Sequence, residues 1–407
     1  MYKKTLKYIF LFAMAFSCVY MYVSEKVPDK LYINYGDDVH IESIPFVTFR
    51  AKDKKIGSRQ MQRSTEPLSY SRNLLGVFPL KEVAINPTSQ RFVSVSGKPF
   101  GIKMFCDGVM VVGFSDILTS FGYQNPSRAA GLKIGDIILK INNESTYTNE
   151  DIERIIKENR GKPVKILYLR DEEEKETFLV AVKDVNNNNY RSGMWVRDSG
   201  AGIGTMTFYD YVNGYFAGLG HGIKDVDTHK ELRLLSGEIV PVKITGLVMS
   251  RNGAAGQLKG TFTTTIASGK VLYNGETGVY GKAYIASDDN QMAVAMPSEI
   301  KTGPAYIMTT IDGTTPQKYK IAIEKVNLTS DDPIKNMVIR ITDERLLNET
   351  GGILRGFSGS PIIQNRKLVG AVTHVFVNQV DRGYGIFAQN MLDTLDSVEY
   401  KNGKKVA

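Results

Sequence analysis

Beyond the four asparagines Asn186 to Asn189, the chain breaks into short Val-, Ile-, Thr- and Tyr-rich segments separated by glycine. "GTFTTTIASGKVLYNGETGVYGKAYIAS", Gly260 to Ser287, is one example, and no long amphipathic pattern interrupts the series before Asn390–Leu395. β-Branched and aromatic residues fit a pleated, half-buried surface, and turn residues at such close intervals allow only short strands. Many short strands must bury their faces against one another, as a β-sandwich or barrel. The polar stretch "DVNNNNYRSG", Asp184 to Gly193, marks the start of this unit.

A second pattern precedes it. "RFVSVSGKPFGIKMFCDGVMVVGF" is β-rich, with turn pairs at Ser96-Gly97 and Asp107-Gly108. Next come "SRAAGLKIGDIILKINNEST" and a helix signal, in which Thr148 and Asp151 resemble a capping box and Ile152, Ile155 and Ile156 share one face. "KPVKILYLR" and "ETFLVAVK" read as closing strands. Ala130-Gly131-Leu132, Gly135-Asp136-Ile137-Ile138 and Ile141-Asn142 give residues 86–185 a resemblance to PDZ domains, of α+β fold. That resemblance implies an extended peptide ligand added as a strand beside Gly101 and Ile102, facing the Ile152 helix. The plain alternative is a small β-rich spacer.

At the N-terminus, Lys3, Lys4 and Lys7 precede a charge-free run from Tyr8 to Val23. The run is slightly short of the ~17–25 residues of a spanning helix, and no small-x-small cleavage site follows it. Residues 1–24 are therefore read as an uncleaved signal-anchor, with the lysines cytoplasmic and the remainder exported. Residues 25–85 read as a linker region, exposed and basic from Ala51 to Ser71. The net charge is +8, but no Lys/Arg run is interleaved with aromatics, so a nucleic-acid partner is not expected. The two cysteines, Cys18 and Cys106, form neither a disulfide framework nor a metal site, and no metal or cofactor is expected.

One hexapeptide carries chemistry: "GFSGSP", Gly356 to Pro361. It fails as an α/β-hydrolase elbow, because Ser360 stands where the last glycine belongs and a hairpin pattern follows instead of a helix. It fits the chymotrypsin-like turn, with Ser358 as nucleophile, the N–H groups of Gly356 and Ser358 as oxyanion donors, and Pro361 opening a strand. Four histidines are available as base. His40 lies outside the β unit, His229 in the charged "VDTHKE", and His374 in an apolar strand where a structural role is usual. His221, in "FAGLGHGI", sits where an apolar strand ends in glycines, as at a barrel rim. The orienting carboxylate stays open among Asp225, Asp227, Asp288, Asp289, Asp312, Asp331, Asp332 and Asp343.

"WVRDSGAGIGTMTF", "GLGHGI", "GGILRGFSGSPIIQNRKLVGAVTHVFVN" and "GYGIF" make residues 190–400 resemble the SpoIVB peptidases of spore-forming bacteria. The resemblance implies a mainly β chain: a membrane anchor, a PDZ domain, then a chymotrypsin-like double β-barrel. It also implies a His221–Asp343–Ser358 triad. It further implies a sporulation peptidase at the inner forespore membrane, its catalytic part exported between the two membranes. Such enzymes clip a membrane-bound regulator of an intramembrane protease, so that the late sigma factor is processed, and they cleave themselves. Two other readings stand beside this one: an HtrA-like quality-control protease, although those place PDZ after the protease, and a non-catalytic PDZ scaffold.

Overall fold

The chain is described from a computed structural model that covers residues 2–26, 30–34, 47–51, 68–75, 78–80, 83–284 and 291–405. Two long strands organise it, β1 (Pro99–Phe114) and β2 (Met194–Asp210). They are antiparallel partners over almost their full lengths, from Met194↔Phe114 to Thr205↔Pro99. Both are rich in the β-branched, aromatic and glycine residues that suit a strongly twisted ladder.

One half of this ribbon belongs to a barrel. β1 also pairs with β4 (Leu234–Val248), and β2 with β3 (Tyr215–Gly218). β6 (Gly269–Gly275) and β7 (Gly278–Ala283) join β4 to β3 and close the ring, while β5 (Gln257–Phe262) pairs outside it with β4. Phe100, Ile102, Met104, Phe216, Ile239 and Val279 fill its interior.

The other half of the ribbon carries the PDZ domain. Val109 and Val111 of β1 pack against Ile138, Ile141, Ile166 and Leu179, under α2 (Asn149–Glu158). α2 starts where the sequence indicates: Thr148 Oγ1 accepts the Asp151 N–H and the Asp151 carboxylate accepts the Thr148 N–H, a reciprocal capping box. Ile152, Ile155 and Ile156 are its buried face. The PDZ domain is thus inserted into the β1–β2 hairpin of the first barrel and does not simply precede the peptidase unit. The expected boundaries at 86–185 and 190–400 divide a ribbon that both units share.

A second six-stranded barrel follows, closed by β8 (Gly303–Thr309), β9 (Gln317–Val326), β10 (Met337–Ile341), β11 (Pro361–Gln364), β12 (Lys367–Phe376) and β13 (Gln379–Phe387). α3 (Glu344–Thr350) follows β10, and α4 (Ala388–Lys405) seals the junction between the barrels with Met391, Leu392 and Leu395. This is a chymotrypsin-like double barrel.

The N-terminal helix α1 (Tyr2–Lys26) has an exposed apolar stretch, Lys7–Glu25, of mean hydropathy 1.4, long and apolar enough to cross a membrane. Part of the expected linker is structured: Lys30–Asn34, Val47–Ala51, Leu68–Leu74 and Val83–Thr88 pair into one sheet. These strands lie far apart along the chain, so no local period betrays their pairing. Residues 52–67 of the basic stretch lie outside the described residues.

Candidate active site

β3 ends at the barrel rim, and Leu219 and Gly220, both left-handed (φ 66° and 68°), turn the chain so that His221 leaves the strand. From the second barrel, the loop before β11 presents Ser358, anchored on one side by the fully buried Phe357. β2 ties the two together. Thr205 donates its N–H to the Ser358 carbonyl (3.0 Å) and its hydroxyl to the Gly356 carbonyl (2.8 Å), while the Thr207 hydroxyl reaches the Gly359 carbonyl (2.8 Å).

The result is a serine–histidine contact across the barrel interface. His221 Nε2 lies 2.8 Å from Ser358 Oγ, and His221 Nδ1 lies 2.9 Å from the Gly222 carbonyl. A carbonyl can only accept, so Nδ1 carries the ring proton and Nε2 offers its lone pair to the hydroxyl. The same hydroxyl lies 2.8 Å from the Thr373 carbonyl, so its single proton has two acceptors. Desolvation lowers the His221 pKa below the ordinary histidine value, and Lys224 adds to this, against the opposing bond to Gly222. The imidazole at neutral pH is therefore uncharged, the form a base requires.

The turn itself leaves donors free. Phe357 donates its N–H to Leu354, Gly359 to Val372 and Ser360 to Phe357. Among the described residues, the N–H groups of Gly356 and Ser358 are given to no other group. Ser360 is wholly buried and outside the cleft.

Several sequence expectations land elsewhere. Asp343 is not joined to His221: it is the N-cap of α3, and its carboxylate accepts the N–H of Leu346 (3.2 Å) and of Lys320 (3.1 Å). Desolvation pushes its pKa up, but these backbone bonds outweigh it and hold the group below the usual carboxylate range. Asp225 and Asp227 both bind Arg197. Asp332 pairs with Lys335, Asp288 and Asp289 lie outside the described residues, as does His40, and His229 is exposed in its loop.

Asp343→Asn, which keeps a good cap, is expected to leave stability within a few tenths of a kcal/mol and kcat within about threefold. Asp343→Ala should cost about 1 kcal/mol in denaturant unfolding. A fall in kcat of Asp343→Asn near the ~10⁴-fold of a missing triad carboxylate would instead bring Asp343 to His221 during turnover.

Gly101 and Ile102 are also displaced from their expected role. They sit in the middle of the first barrel, paired to Ile203 and Gly202 on one side and to Val240 and Ile239 on the other, so neither edge can receive a peptide. A Cβ on Gly101 would stand 2.4 Å from the Phe262 ring and 2.9 Å from the Val240 side chain, so both would have to shift. The groove of the PDZ domain lies instead between Ile152 and Ile156 of α2 and the segment Arg191–Val196 that opens β2.

His374, read from the sequence as a structural histidine of an apolar strand, lies beside the base. Its ring lies 4.6 Å from that of His221, tilted by 37°. Desolvation, and next the neighbouring His221, push its pKa down to about 4. Its position in an apolar strand carried no signal of this, because the contact joins the two barrels.

The family model of SpoIVB peptidase S55 matches residues 188–392, and that of the PDZ domain matches residues 125–170. No curated protein matches the chain. Among solved structures, the PDZ domain of the SdrC-like protein of Listeria monocytogenes is similar at 20% identity and TM-score 0.18, covering 22% of this chain and 87% of that one. The HtrA-type protease AlgW with decapeptide is similar at 11% identity and TM-score 0.29, covering 50% of this chain and 55% of that one. The Rv3671c protease in its inactive form is similar at 11% identity and TM-score 0.25, covering 48% of this chain and 84% of that one. Matched over half its length, the chain belongs to the SpoIVB peptidase S55 family: it is a serine peptidase that carries a PDZ domain.

Proposed function

We propose that this peptidase is a membrane-anchored serine endopeptidase of sporulation, held by α1 in the inner forespore membrane with its barrels in the space between the two membranes. Its substrate is a membrane-bound regulator of an intramembrane protease, whose cleavage leads to late sigma-factor processing, and it also cleaves itself. The PDZ domain contributes recognition of a peptide segment. The observation that carries the catalytic reading is the 2.8 Å approach of His221 Nε2 to Ser358 Oγ, with the Gly356 and Ser358 N–H groups left free.

In this reading Ser358 Oγ attacks the scissile carbonyl as its proton passes to His221. The two N–H groups bind the oxyanion, and His221 then protonates the leaving amine. The Gly222 carbonyl holds the productive tautomer in the free enzyme. Labelling of the full-length protein by a fluorophosphonate, mapped to Ser358, tests the assignment; an unlabelled Ser358 in a folded, detergent-solubilised preparation would remove it.

His374 gives the reading a pH signature. A base of lowered pKa stays uncharged as the pH falls below ~6.5, so the acid limb of kcat/KM should lie below that value. His374→Ala admits water to the His221 ring and should move the limb upward towards ~6.5, with a lower kcat. His374→Phe keeps an aromatic plate and should retain the wild-type profile. Identical profiles for all three proteins would leave His374 without a role in holding the base.

A further inference from the structure

Beside the nucleophile turn lies an open cleft of about 680 Å³, lined by Ile203, Leu258, Phe262, Gly202, Gly260 and Gly356 among others. Gly356 also offers one of the two free N–H groups, so the cleft begins at the reacting centre. An extended chain advances about 3.3–3.6 Å per residue, which places any side chain in the cleft within two residues of the scissile bond.

Its wall is apolar and roomy. Phe262 lies over Gly101 with its ring partly exposed, and Leu258 is buried beside Gly356. A Cβ on Gly202 would meet nothing within 4 Å, whereas one on Gly260 would press on the Lys243 carbonyl and the Val242 side chain at 2.9 Å and on the Ile203 side chain at 3.1 Å. Arg355, Gln257 and Thr261 are its exposed polar and charged lining residues, Lys103 Nζ lies 5.2 Å from the Phe262 ring, and no acidic side chain lines the space.

The backbone around it is also unpaired. β5 is hydrogen bonded to β4 along one edge, and Gln257 and Leu258 meet Arg355 on the other. Among the described residues, Lys259 to Phe262 have no strand on that second edge. On β2, Ala201 to Ile203 pair with β1 alone, because pairing with β3 starts at Met206. A free strand edge accepts an extended peptide by main-chain hydrogen bonds, with alternate side chains entering neighbouring pockets.

We infer that this cleft is a specificity subsite that takes a large apolar side chain of an extended substrate, one or two residues from the scissile bond. The inference rests on the peptidase reading of Ser358. Differential burial of such a side chain is worth about 10–200-fold in kcat/KM.

Full-length protein in detergent is tested against a peptide library, with cleavage sites mapped by mass spectrometry and kcat/KM measured for Leu and Ser peptides at the enriched position. An apolar residue should be enriched at one position flanking the cut, with Leu preferred over Ser by at least tenfold. Gly202→Val narrows the cleft and should lower that ratio at least tenfold. Phe262→Ala widens it and should shift the preference towards larger aromatic residues, so the test survives if one variant misfolds. No enrichment beside the cut, or an unchanged profile in the folded variants, overturns the subsite. Fluorophosphonate labelling separates the two failures: an unlabelled wild-type Ser358 removes the peptidase reading, whereas labelling with an unselective profile removes only the cleft.

Discussion

Ser358→Ala is expected to lower kcat on a peptide substrate by at least about 10²-fold, less than the ~10⁶-fold lost from a complete triad, because among the described residues no carboxylate holds His221 in the free enzyme. Self-cleavage, followed by mass spectrometry of the purified full-length protein, should stop as well. Stability should scarcely change, because the lost hydroxyl serves only His221 Nε2 and the Thr373 carbonyl at the surface of the cleft. Ser360→Ala is the matched control. The Ser360 hydroxyl is buried with no hydrogen-bond partner, so its removal should be neutral or mildly stabilising and leave kcat intact. Substantial turnover by folded Ser358→Ala protein, with collapse in Ser360→Ala, would transfer the nucleophile to the second serine.

Gly359→Ala should be nearly as damaging, for a reason outside the chemical step. Gly359 has φ 90°, and a Cβ built there stands 2.0 Å from the Thr205 carbonyl and 2.5 Å from the Leu219 nitrogen. Both clashing groups are backbone, one in the strand that carries the Thr205 clamp and the other in the turn that leads to His221. Neither can yield without moving the serine relative to its base. A misplacement of about 1 Å costs roughly 10²-fold in rate, and two misaligned partners should cost more. Overpacking alone destabilises by roughly 1–3 kcal/mol. The check is kcat together with calorimetric Tm: both should fall, and a variant with wild-type values would mean that the turn has another conformation.

The Asp343 variants test a residue with an evident local duty. An aspartate three residues before a helical N–H is well placed to cap that helix: one Asp343 carboxylate oxygen accepts the Leu346 N–H of α3, and the other accepts the Lys320 N–H of β9. Its short separation from Ser358 in the chain allowed a triad role without requiring one. Chain separation cannot tell a carboxylate that turns towards His221 from one that turns towards Leu346.

What the sequence determined by itself was local. "GFSGSP" demands a tight turn ahead of a strand whatever surrounds it, because its glycines permit the left-handed residues and Pro361 suits a strand start. Thr148, Asp151 and the three isoleucines define α2 through contacts within one helical turn. Dense short β segments exclude a helical fold. The tertiary structure decided everything that joins distant strands. A PDZ domain inserted into a hairpin looks, along the chain, like one placed before it, because β1 and β2 each read as ordinary strands until their pairing is known. That pairing covers one edge of Gly101 and Ile102, and β4 covers the other. His374 reaches His221, and Thr205 reaches Gly356, only after two barrels close and pack. Such contacts depend on register and curvature summed over many strands, and no local period in the sequence records them.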